Sequence, residues 1–221
     1  MKSIETKNER NKKIRKALNI SIIIISIIAI VGLAGSLFHK FYYTTFYIDG
    51  QSMYPTLNAG GGETTAPERN DFGIVDTSRS IINSIKRFDI VTTYFPDDYN
   101  AKDELLLNRD KKIKRVIGLP GEKVKTLNRN IYINDEKLSL PYEPGSKDLF
   151  TYEVQLDDDE YFLVGDNWGH SKDSTTIGPI EKWMINGVLI AIEGTCVLKL
   201  DDYGKIYATD YQYRWPTFYK R

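Results

Sequence analysis

Cysteine occurs once in these 221 residues, at Cys196, so no intrachain disulfide can form and a cysteine-based metal site or thiol couple lacks its residues. Histidine occurs only at His39 and His170, which narrows the choice of an imidazole base. Excess charge of either sign is also missing: thirty lysines and arginines balance thirty aspartates and glutamates, so net charge gives no case for nucleic acid as a partner. Gly118 and Gly121 flank a proline and lack the Gly-Lys-Ser/Thr ending of a phosphate loop. The acidic run Asp157-Asp158-Asp159-Glu160 lacks the alternating ligand spacing of a calcium loop and reads as a solvated turn before a strand. No metal and no other cofactor is expected.

Long apolar runs are scarce as well, and the one present is decisive. From Ala17 to Phe38 the chain reads ALNISIIIISIIAIVGLAGSLF, 22 residues without a charge. As a helix it measures about 33 Å, enough to cross a bilayer core of about 30 Å. Apolar residues ring its circumference, unlike the single stripe of a buried soluble helix. A cleaved secretory signal is the competing assignment, because basic residues precede the run and Ala34 and Ser36 lie near its end. Against it, the run exceeds a typical signal core of about 7–15 residues. It is also followed by Phe41, Tyr42, Tyr43, Phe46 and Tyr47, side chains suited to a membrane interface. Residues 1–16 carry seven lysines and arginines against Glu5 and Glu9, whereas His39 and Lys40 alone follow the run directly. Residues 1–16 are therefore expected as a cytoplasmic basic tail beside the lipid bilayer, 17–38 as the anchor, and 39–221 as one extracytoplasmic domain.

Beyond the run, segments rich in β-branched and aromatic residues predict strands at Ile74–Val75, Ile90–Phe95, Lys112–Ile117, Ile131–Ile133, Tyr161–Val164 and Gly187–Leu200. Turn residues separate them at Pro96-Asp97-Asp98, Leu119-Pro120-Gly121, Asn134-Asp135, Pro144-Gly145 and Gly165-Asp166-Asn167. Only Ser80–Arg87 and Glu181–Met184 read as short helical turns. The expected fold class is all-β, a twisted antiparallel sheet system behind one N-terminal transmembrane helix. The polar, glycine-rich stretch Asn58–Asn70 reads as a surface loop, and Pro141–Phe150 as an exposed connection.

Ser52 follows Ile48-Asp49-Gly50-Gln51 and precedes Pro55, a setting where backbone direction is fixed and a ligand can approach closely. Its hydroxyl attacks only if a base takes the proton. A Ser-His-Asp triad would depend on His170. A lysine serves instead when burial disfavours its ammonium form. Strand alternation puts Lys114 on the face of Val116, opposite Ile113, Arg115 and Ile117. Alternation alone leaves Lys114 as readily in solvent as in the core, and Ser52 as readily a plain turn residue.

Sequence blocks tip that balance. Ser52-Met53-Tyr54-Pro55-Thr56-Leu57, Lys114-Arg115-Val116-Ile117-Gly118-Leu119-Pro120-Gly121-Glu122, Gly165 to Thr175 (GDNWGHSKDST) and Arg87-Phe88-Asp89-Ile90-Val91 follow the apolar run. Together they resemble the bacterial type I signal peptidases, membrane-bound proteases that remove signal peptides from exported proteins. The resemblance implies that family's all-β fold, Ser52 as nucleophile and Lys114 as general base. It implies Ser171 as a hydrogen-bonding orienter of the lysine, Asp173 as structural support for the third block, and the Ser52 backbone N–H as oxyanion donor. Substrates are then signal-bearing exported precursors, with Met53 narrowing the pockets for small side chains.

The chain departs from the family at Trp168 and Thr175, where arginine is usual, at Phe88 for glycine, and at Glu122 for aspartate. Without both arginines Asp166 and Asp173 need other partners, Lys172 or backbone donors, since an unpaired buried carboxylate is costly. An inactive, peptide-binding paralogue and a peptidase dedicated to pilus or surface proteins are the alternatives these departures raise. A self-cleaving repressor relative fits poorly with a transmembrane run.

Overall fold

A computed structural model describes residues 2–95 and 111–219. It has two compact units, Met1–Tyr42 and Tyr43–Arg221. The first is one helix, α1, Lys2–Tyr42, which continues past Phe38. Its apolar stretch, Ile14–Tyr42, is long enough to span a membrane, and its isoleucines are exposed on every side, as a lipid-facing helix requires. The chain is a single-pass membrane protein with its β-rich unit outside the cytoplasm.

The second unit holds twelve strands among the described residues. They are β1 Tyr43–Tyr47, β2 Asn70–Asp76, β3 Ile90–Thr93, β4 Lys112–Gly118, β5 Lys123–Leu127 and β6 Asn130–Ile133. After these come β7 Glu136–Lys137, β8 Tyr152–Gln155, β9 Glu160–Val164, β10 Ile180–Glu181, β11 Ile185–Leu200 and β12 Ile206–Phe218. The main sheet runs β1-β2-β11-β3-β4-β9-β10, with β12 also on β11, and a smaller sheet runs β7-β6-β5-β8. Every pairing is antiparallel. Two one-turn helices interrupt this pattern, α2 Arg79–Ile82 and α3 Ser174–Ile177. The all-β expectation is thus corrected to a mixed fold dominated by antiparallel sheet. Helix α3 forms because Asp173 caps it, its side chain accepting from the Thr175 N–H while Thr176 reaches back. The residues 182–184 form a 3₁₀ turn.

The predicted strands all fall on observed ones, but β1, β5, β7, β8, β10 and β12 have no predicted counterpart. Aromatic residues next to the apolar run suggested a lipid anchor where β1 forms, and β12 pairs with β11 while keeping Tyr213 and Trp215 exposed. The Pro96-Asp97-Asp98 turn lies outside the described residues. Residues 58–69 have no regular structure, as expected of a loop, and Asn70 opens β2; yet Asn58 is buried and bonded at both ends of its side chain. Pro141–Phe150 likewise lacks strand, but Leu149 packs into the core.

Strand β4 positions the chemistry. It lies between β3 and β9, and Ile113 through Gly118 are all buried. A strand covered on both faces loses the alternation of a half-exposed one. On one side Ile113 joins Ile48, Met53, Leu57, Val75, Ile90, Leu189 and Ile192. Val116 belongs to a cluster with Val91, Leu163 and Val188, and Ile117 to one with Phe162, Val164 and Trp168.

Candidate active site

Ser52 sits in the turn that follows β1. The turn is held at its start by the Ile48 N–H on the Asp71 carbonyl at 2.9 Å and within itself by the Tyr54 N–H on the Gln51 carbonyl at 2.9 Å. Asn58 pins the approach, its side-chain N–H groups donating to the carbonyls of Ile48 and Gly50, both at 2.8 Å. The next strand pair then brings in the second residue. The amine of Lys114 lies 2.8 Å from the Ser52 hydroxyl and donates to the Ile113 carbonyl, also at 2.8 Å.

Lys114 is only 4% exposed, with the Phe95 ring 5.8 Å from its nitrogen. Burial disfavours the ammonium and lowers the pKa to about 8, a fall that the negative charge of Asp173 partly opposes. When the amine is neutral its lone pair is open to a hydroxyl proton, so the Ser52 O–H becomes the donor of the shared bond. A groove of about 630 Å³ opens here, lined by Phe46 and Tyr47 of β1, Ile113 and Lys114 of β4, Ser52, and Ile206 of β12 among others.

The remaining expected residues lie as follows. Asp173 accepts from the Gly165 N–H at 3.0 Å and from the N–H and hydroxyl of Thr175 at 3.1 and 2.7 Å, joining the two ends of the third block. The Ser171 hydroxyl bonds to the Lys172 carbonyl at 3.5 Å rather than to Lys114. It nevertheless lies beside the Ser52 backbone: a Cβ on Gly165 would come within 2.2 Å of the Ser171 Oγ and 2.4 Å of the Ser52 carbonyl oxygen. Met53 is 1% exposed in the core cluster with Ile113, and does not line the groove. The Nε2 of His170 is buried without a hydrogen-bond partner, so that nitrogen is not bonded to the Ser52 hydroxyl. The acidic run forms a turn, with the Glu160 N–H on the Asp157 carbonyl at 3.2 Å. Among the described residues no three His, Cys, Asp or Glu side chains gather as metal ligands.

Sequence reasoning missed how the blocks lock together. Arg115 grips Asp166 with its Nε and a terminal nitrogen, at 2.8 and 2.6 Å, while the Thr56 hydroxyl donates to the same carboxylate at 2.5 Å. Thr56, Arg115 and Asp166 come from the three separate blocks, so one buried fork ties together the blocks that carry Ser52, Lys114 and Asp173. The signal was present in the Lys-Arg and Gly-Asp pairs, but spacing does not reveal which carboxylate an arginine meets.

The departures have physical accounts in the same geometry. Arg115 supplies the cation that Asp166 needs, and Thr175 itself supplies donors to Asp173. Trp168, 1% exposed, fills the core beside Phe162. Glu122 takes a bidentate pair from Arg87 at 2.8 and 2.6 Å and accepts from the Leu119 N–H at 2.8 Å. Phe88 has φ of 72°, the left-handed region where glycine is favoured, and offsets that strain by packing against the cluster around Ile117.

The chain is similar to known proteins. The family model for signal peptidase, peptidase S26, matches residues 19–192. Signal peptidase I of Bacillus amyloliquefaciens is 30% identical, covering 82% of this chain and 91% of its own. Signal peptidase I S of Bacillus subtilis (strain 168) is also 30% identical, over 68% of this chain and 77% of its own. A crystal structure of a signal peptidase I from Enterococcus faecalis V583 covers 48% of this chain and 96% of its own, at 27% identity and a TM-score of 0.39. With more than half its length matched by the family model, the chain belongs to the signal peptidase (peptidase S26) family.

Proposed function

We propose that the chain is a type I signal peptidase that hydrolyses the peptide bond after the signal peptide of exported precursors, with Ser52 as nucleophile and Lys114 as general base. The observation that carries this reading is the 2.8 Å contact between a buried amine and a serine hydroxyl that both line a groove. Neutral Lys114 takes the hydroxyl proton as Ser52 Oγ forms a bond to the scissile carbonyl carbon. The Ser52 backbone N–H is assigned to the developing oxyanion. Collapse breaks the carbon–nitrogen bond, and the Lys114 ammonium gives its proton to the departing amine. Lys114 then takes a proton from water as that water attacks the acyl ester, and returns it to Ser52 Oγ.

An extended substrate segment fits the edge strand β1, whose Thr45, Phe46 and Tyr47 line the groove. The partners Arg115 and Thr175 remove the electrostatic motive for an inactive paralogue. The test is to incubate the wild type, Ser52→Ala and Lys114→Ala with a signal-bearing precursor in detergent and to locate the cut by mass spectrometry. Wild-type cleavage at the signal junction with both variants silent is expected; cleavage that survives Ser52→Ala would overturn the assignment.

A further inference from the structure

We infer that Asn167 is a positioning residue for the oxyanion donor, an inference that rests on the catalytic reading of Ser52 above. Its side-chain N–H groups donate to the carbonyls of Gln51 at 3.0 Å and Glu63 at 2.8 Å, and its backbone N–H donates to the Ser52 carbonyl at 3.1 Å. The Gln51 carbonyl and the Ser52 N–H belong to one planar peptide unit, which is trans here, so holding the oxygen fixes where the N–H points. The Tyr54 N–H occupies the other lone pair of that oxygen. The Ser52 carbonyl, one peptide further on, is held by Asn167 as well. The peptide units on both sides of the nucleophile are therefore referenced to a single residue of the third block.

Two features mark this clamp as more than loop packing. Asn167 is fully buried, yet its side-chain oxygen has no hydrogen-bond partner, so the amide is oriented by what it gives and not by what it receives. Space for it is kept by glycine: a Cβ at Gly145 would lie 2.7 Å from that oxygen. Asn58 offers a built-in comparison, since it holds the carbonyls of Ile48 and Gly50, neither of which shares a peptide unit with the Ser52 N–H.

The experiment uses full-length protein in detergent with a cleavable precursor peptide, an uncleaved peptide of the same binding sequence, and a peptide aldehyde that forms a tetrahedral adduct with serine. Asn167→Ala and the isosteric Asn167→Asp are compared with Asn58→Ala. For the Asn167 variants kcat is expected to fall about 10- to 100-fold with KM nearly constant. Affinity for the aldehyde should fall by a similar factor while the uncleaved peptide binds as before, and the pH midpoint of activity should stay in place. Equal losses of aldehyde and peptide affinity, a shift of that midpoint, or an effect matched by Asn58→Ala would overturn the inference and leave Asn167 a scaffold residue. Unfolding of both Asn167 variants would do the same. Wild type that cuts nothing would instead remove the catalytic reading itself.

Discussion

Arg115 and Asp166 form a buried two-pronged pair, 2.8 and 2.6 Å, on the strand position next to the amine that meets Ser52. Neighbours along a strand point to opposite faces, so β4 presents Lys114 to the groove and Arg115 to the loop that supports it. Removing one partner strands the other charge in the core. Arg115→Ala or Asp166→Ala should each cost about 3–5 kcal/mol of stability. Urea unfolding of the variants checks this, and a loss under 1 kcal/mol would show that the fork carries no weight.

Activity should follow the deprotonation of Lys114. With its pKa at about 8, kcat/KM should rise about tenfold per pH unit below pH 8 and level off above it. A pH–rate profile checks this. An acid limb centred near 6.5 would point to a histidine instead.

Stability should report the same group and favour the same neutral form. Lys114 is lowered from 10.5 to about 8, so between those values the unfolded chain binds more protons and stability rises with pH. Below pH 8 the folded protein carries the cost of a buried cation, of order 3 kcal/mol. Lys114→Met should therefore melt higher than wild type at pH 7 while losing activity, and the gap should narrow from pH 8 to 10.5. Thermal unfolding across that range is the measurement.

Restoring the family's usual arginine at position 168 should harm this member. Trp168 is almost fully buried among Ile117, Phe162 and Val164. Trp168→Arg both empties that volume and buries a charge whose natural acceptor, Asp166, is already taken by Arg115. A loss of at least about 3 kcal/mol is expected in denaturant unfolding.

Phe88 gives a test of backbone strain. At φ of 72° alanine carries a Cβ penalty that glycine does not. Phe88→Gly should be more stable than Phe88→Ala by about 1 kcal/mol, the reverse of their ordinary order within a chain. Paired melting curves decide it.

Much of the scaffold is readable from residue types alone, and the reasons differ by element. The apolar helix and strands such as Tyr161–Val164 are visible because β-branched or apolar runs and the turns around them are local features. Strand β12 escapes because Tyr207, Tyr211, Tyr213 and Trp215 stay exposed and a proline, Pro216, lies within it, so no buried face marks its period. The burial of Lys114 is invisible for a different reason: β3 and β9 flank the edges of β4 while apolar clusters cover its faces, contacts that join distant stretches of chain. The partners of Asp166 and Glu122 are likewise set by register across strands, which no spacing along one block encodes.

The threonine at position 175 carries one more consequence. Its hydroxyl and amide satisfy the hydrogen-bonding needs of Asp173 but cancel none of its charge, whereas an arginine would do both. The charge of that carboxylate favours the protonated form of Lys114 and partly opposes the effect of burial. A neutral donor at this position thus keeps Asp173 hydrogen-bonded while leaving its charge to act on the neighbouring amine.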